Sequence, residues 1–86
     1  IITMQIREEI LRKIEEIFKT ELGNDSIEIT YESSTNNVDS WDSMNNLILI
    51  SAIEKEFNMS FPLDIIFDAK NVGDLCDYIL SQSNVA

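Results

Sequence analysis

Over the first quarter of the chain Ile6, Ile10, Ile14, Ile17, Phe18 and Leu22 recur every three or four residues, with Arg, Glu and Lys between them. That spacing gathers the apolar side chains on one face and predicts a first helix over 4–22. Thr3 is placed to cap its start, Glu8 and Glu9 stand near its positive end, and Gly23-Asn24 offers a stop able to take positive φ. A second apolar run predicts a helix over 43–57, opened by Asp42 as N-cap and ended at Asn58. Leu49, Ile50, Ile53 and Phe57 form its core stripe, while Met44, Leu47, Ile48 and Ser51 lie on or beside another stripe near Ser43.

Residues 24–42 are polar, with Ile27, Ile29, Tyr31, Val38 and Trp41 as their apolar anchors. The alternation of Ile27, Ile29 and Tyr31 would suit a strand, but no partner strand is evident, so a long loop tethered across a helical core is expected. Trp41 is expected to be such an anchor. Phe61-Pro62-Leu63 opens a short third helix, with Pro62 suited to its first position and Ile65, Ile66 and Phe67 as apolar cover. Asn71 caps a fourth helix, with Asp74 in the first turn and Val72, Leu75, Cys76, Tyr78 and Ile79 facing inward, before residues 82–86 fray. The whole is an all-α, four-helix bundle in a single domain, 1–86, with a long loop between helices 1 and 2 and a short third helix.

Length and charge narrow the picture. A chain of 86 residues buries roughly 60 to 65 per cent of its unfolded surface, enough for a small core. Sixteen acidic residues against six basic give a net charge of −10, which opposes nucleic-acid and anionic-membrane binding and favours basic partners, or simply keeps the surface solvated. No apolar run approaches the roughly 18 residues that span a membrane. Ile1-Ile2-Thr3-Met4 lacks the basic and apolar regions of a signal peptide. Met4 reads as the natural start, with the first three residues an added remnant, and a cytoplasmic location is expected.

One cysteine and no histidine exclude an internal disulfide, the usual zinc sites and the commonest general base. Cys76 is expected to be a small buried hydrophobe. Residues 39–50 fail as a calcium loop because Met44 stands at position six and Ile50 at position twelve. The sequons Asn24-Asp25-Ser26 and Asn58-Met59-Ser60 read as accidental.

The chemistry then rests on Trp41-Asp42-Ser43-Met44. The Ser43 hydroxyl sits at the positive end of a helix, where a phosphate ester on Oγ would meet the dipole and unpaired N–H groups. Asp42-Ser43-Met44, Leu47 and Leu49, Ile53-Glu54-Lys55-Glu56-Phe57, Phe61-Pro62 and Asn71-Val72-Gly73-Asp74-Leu75 follow one another over residues 42–75. In this order and spacing the chain resembles the acyl and peptidyl carrier proteins, whose Asp-Ser-Leu/Met motif carries a 4′-phosphopantetheine arm. The resemblance implies an acyl-carrier-like bundle and a phosphoprotein with the arm on Ser43. It implies that Asp42 helps to orient a phosphopantetheinyl transferase besides capping the helix. Cargo, held as a thioester, would come from an acyl- or aminoacyl-loading ligase and pass to synthase enzymes of fatty-acid, polyketide or nonribosomal peptide biosynthesis.

The resemblance further implies a non-catalytic monomer whose partners meet Met44, Leu47, Ile48, Glu54 and Glu56, and an acyl pocket, if there is one, near Ile53, Phe57, Phe61, Ile66 and Leu75. Asn45, Asn46 and Ile48 stand where acidic residues are frequent in carriers, which shifts recognition toward the apolar stripe and puts exchange with a housekeeping fatty-acid synthase in doubt. The Trp41-Asp42-Ser43-Met44 variant looks closer to specialised or aminoacyl carriers, D-alanyl carrier-like proteins included. A cofactor-free helical adaptor that binds a partner through Met44, Leu47 and Ile48 is the competing class of function.

Overall fold

The computed structural model describes the backbone of residues 2–38 and 40–82, and side chains from Ile6 onward within those limits. It contains α1 (Ile2–Leu22), α2 (Ser43–Phe57), α3 (Leu63–Asp68) and α4 (Val72–Gln82), with no strand among the described residues. The all-α expectation and the order of elements stand. Thr3 falls within α1 rather than ahead of it, because the helix begins earlier than the apolar spacing indicated. Its side chain, the identity of the natural start and residues 83–86 lie outside the described residues.

α1 packs against both α2 and α4. Ile14, Phe18, Ile29, Leu49, Ile53, Val72 and Cys76 are the largest fully buried side chains. They draw together three long helices and the loop, and complete burial of each large aliphatic or aromatic among them stabilises the fold by about 1.5–3 kcal/mol. Helix ends follow local chemistry. Gly23 takes φ +64 after α1, and the Asn24 N–H donates to the Lys19 carbonyl at 3.0 Å. Asn58 closes α2 in the left-handed region, at φ 50 and ψ 54, a conformation that asparagine tolerates better than most side chains.

The long loop is a tether and not a strand. Ile27, Ile29, Val38 and Trp41 are buried in it, and Tyr31 is half-buried. Polar contacts fix its path. The Ile29 N–H donates to Glu15 Oε2 of α1 at 2.8 Å, and Tyr31 donates its hydroxyl to Glu8 at 3.0 Å under the Arg7 guanidinium, 3.9 Å from the ring centroid. At the other side the carbonyls of Ser33 and Tyr31 accept from the N–H groups of Val72 and Gly73 at 2.9 and 2.7 Å. Two of the orphan donors at the start of α4 are thereby satisfied by the loop. Trp41 meets Phe18 of α1 edge to face, with centroids 4.9 Å apart.

α3 departs from expectation in two ways. Pro62 is the N-cap, with φ −68 and ψ 157, one position before the helix. Phe67 is not core cover: it is 75% exposed, on a six-residue helix with no buried residue. Over so short a helix only one side can face the bundle, and Ile65 and Ile66 take it.

Candidate functional site

Asp42 has extended backbone, φ −121 and ψ −177, and its Oδ1 accepts from the Asn45 N–H at 2.8 Å while its carbonyl accepts from the Asn46 N–H at the same distance. This is the capping geometry anticipated from the sequence. The capping hydrogen bond fixes where α2 starts, so Ser43 becomes the first helical residue. Ser43 is exposed, and its Oγ has no hydrogen-bond partner among the described residues. The hydroxyl is therefore open to another macromolecule, at a helix end where backbone donors and dipole favour an attached anion.

The turn ahead of Asp42 is held by two asparagines whose part could not be read from the chain. Asn46 Oδ1 accepts from the Trp41 indole N–H at 3.0 Å, and Asn45 Nδ2 donates to the Ser40 carbonyl at 2.6 Å. Ser40 itself has φ 72, in the left-handed region. On the sequence Asn45 and Asn46 stood out only as missing acids. In the fold they clamp the loop onto the first turn of α2, and the signal that could have found them is the i, i+5 separation from Ser40 and from Trp41 across a capped helix start.

Beside Ser43 lies a groove of about 590 Å³, open at one side, whose walls include Trp41, Asp42, Ser43, Asn46, Leu47, Ile50, Ile66, Phe67, Lys70 and Leu75. Of the five residues expected to line an acyl pocket, Ile66 and Leu75 are on this groove. Ile53 and Phe61 are instead buried in the core, and Phe57 is half-buried beneath Lys13 at the far end of α2. The reason is place along the helix: Ile50 is the last α2 residue on the groove, Ile53 stands nearly one turn beyond it and faces the core, and Phe57 stands about two turns beyond it.

The expected partner residues divide similarly. Met44 is 78% exposed, Leu47 and Ile48 of α2 and Leu63 and Phe67 of α3 are exposed as well, and of these Leu47 and Phe67 line the groove. Glu56 is exposed, 3.8 Å from Lys13. Glu54 points the other way, its Oε2 accepting from the Phe61 N–H at 2.7 Å, which ties α2 to the segment that leads into α3. That bond occupies the carboxylate expected to meet partners.

Cys76 is fully buried, and burial pushes its thiol up to about 12, leaving it protonated at neutral pH. Among the described residues no three His, Cys, Asp or Glu side chains gather to hold a metal, and no helix is long and apolar enough to cross a membrane.

Comparison with known proteins bears on the same segment. A family model described as a phosphopantetheine attachment site matches residues 12–79. The chain is 38% identical over 71 residues to an acyl carrier protein of Porphyromonas gingivalis, covering 83% of this chain and 91% of that one. It is 36% identical over 74 residues to an acyl carrier protein of Streptococcus pneumoniae, covering 86% and 96%. The solution structure of a holo acyl carrier protein from Geobacter metallireducens superimposes with a TM-score of 0.77 at 36% identity, over 84% of this chain and 83% of that one.

Proposed function

The chain belongs to the acyl carrier protein family, which bears a 4′-phosphopantetheine arm, and from that premise we propose that the arm is esterified to Ser43 and carries an acyl or aminoacyl group as a thioester. The observation that carries this reading is the exposed Ser43 hydroxyl on the first residue of an Asp42-capped helix, at the rim of a groove. When bound, the arm supplies the thiol on which cargo is held. The residues of the chain position it. Asp42 fixes the start of the helix, the first-turn dipole favours the phosphate, and exposure of Oγ admits a phosphopantetheinyl transferase, which brings the general base that a chain without histidine does not provide. In this reading the chain is a carrier and performs no chemistry of its own.

Carrier proteins of this family work with transferases and synthases in general. For this chain we assign docking to the apolar strip of Met44, Leu47, Ile48, Leu63 and Phe67. The exposed start of α2 has Asn45 and Ile48 in place of carboxylates, and the nearest acid downstream, Glu54, is bonded to Phe61. A partner that reads this face gains little from a basic patch, which favours a specialised acyl, aminoacyl or peptidyl pathway over a housekeeping fatty-acid synthase. Incubation with coenzyme A and a broad-specificity transferase should add one arm by intact mass, and Ser43→Ala should abolish the addition. A wild-type chain that stays unmodified overturns the proposal. Binding of a partner to the bare chain, indifferent to Ser43→Ala and lost in Leu47→Asp, would favour the cofactor-free adaptor instead.

A further inference from the structure

The chain has six basic residues. Arg7, Arg12, Lys13 and Lys19 are each within 4 Å of a carboxylate, at Asp77, Glu8 and Glu15, Glu56 and Glu16. Lys55 and Lys70 have no ion-pair partner among the described residues. Their positions differ. Lys55 lines a second groove between α1 and α2, in company with Lys13, Arg12, Glu16, Glu21 and Glu56. Lys70 lines the groove of Ser43, and it is the one basic side chain among the residues on that wall.

The backbone of Lys70 is held firmly while its side chain stays exposed. Its N–H donates to Asp74 Oδ2 at 2.8 Å, and the Asp74 N–H donates in turn to Asn71 Oδ1 at 3.0 Å. These bonds fix the α3–α4 junction against α4, so Lys70 lines the groove of Ser43 from an anchored backbone. A phosphodiester on Ser43 would add negative charge beside Asp42 in a chain already at −10. Crowding of like charge at this end of the groove is relieved by a cation that has no ion-pair partner among the described residues.

We propose that Lys70 is the positioning residue for the arm, pairing its ammonium with the phosphodiester and biasing the root of the arm toward the α3 wall of the groove. This rests on Ser43 as the attachment point. Ion pairing restrains the first bonds of the arm without touching the distant thiol, and it weakens with salt because the site is exposed.

The test is ³¹P NMR of the holo chain, after intact mass has established that the arm is on Ser43. Lys70→Gln should move the phosphodiester resonance by more than its linewidth, Lys70→Arg should leave it near the wild-type position, and the difference between wild type and Lys70→Gln should vanish in concentrated sodium chloride. Lys55→Gln, the same loss of charge on the other groove, should leave the resonance where it was. A holo chain in which Lys70→Gln shifts the phosphorus signal no more than Lys55→Gln overturns the role of Lys70 and leaves Ser43 untouched. Failure of the wild-type chain to take the arm overturns both.

Discussion

The Gly73 N–H donates to the Tyr31 carbonyl at 2.7 Å, and a Cβ built on Gly73 would stand 2.9 Å from that same oxygen and 3.3 Å from the Tyr31 Cβ. The first turn of α4 is thus pressed against the long loop at a distance that only glycine allows. Gly73→Ala should push the loop away and free the N–H groups of Val72 and Gly73. A loss of about 1–3 kcal/mol is expected. Urea unfolding checks it, and an unchanged midpoint would show that the loop yields without cost.

Substitutions at Asp42 can separate its capping bond from the transferase contact that the family resemblance implies. Asp42→Ala removes the acceptor for the Asn45 N–H and should cost about 1 kcal/mol, whereas Asp42→Asn keeps a capping oxygen and should cost little. If the carboxylate also orients the transferase, arm addition slows in both variants. A wild-type rate for Asp42→Asn would confine Asp42 to capping.

Glu54 is expected to behave as a structural residue. Glu54→Ala leaves the Phe61 N–H, bonded at 2.7 Å in a part-buried setting, without its acceptor, for a loss of about 1–3 kcal/mol. Glu54→Gln retains an acceptor and should recover most of it in thermal melts. Equal stability of Glu54→Ala and wild type would return this carboxylate to the list of candidate partner contacts.

Much of this architecture is legible in the chain because caps and apolar spacing are local signals. Asp42, Asn58 and Asn71 mark ends correctly, and Leu49, Ile50 and Ile53 name the buried stripe of α2. What stays hidden depends on segments distant in sequence. The carbonyls of Tyr31 and Ser33 that cap α4 belong to backbone and leave no trace in side-chain identity. The groove likewise needs α2, α3 and the start of α4 set against one another, which decides that Ile66 and Leu75 line it while Ile53 and Phe61 do not. Phe67 looked like core cover because hydropathy alone does not tell a buried aromatic from an exposed one on a helix of six residues.

Cys76 supplies a pH dependence with a definite sign. Its thiol, ordinarily ionising near 9, is pushed up to about 12 in the folded chain, chiefly by burial. Below the lower value both states keep the proton and the group contributes no slope. Above it the unfolded chain releases a proton that the folded chain retains, so stability falls as pH rises between 9 and 12. Cys76→Ala should flatten the alkaline limb of the stability curve relative to wild type, even though a less filled core lowers the curve as a whole. At neutral pH a thiol reagent should label wild type only as fast as the chain opens, and prompt labelling of the folded protein would contradict this burial.

Trp41 is the sole indole of the chain, wedged against Phe18, bonded to Asn46 and forming part of the wall next to Ser43. The molecule therefore contains a built-in fluorophore at the end proposed to take the arm. Its emission should register, without any added label, the difference between an empty cleft and one into which a tethered cargo has folded back.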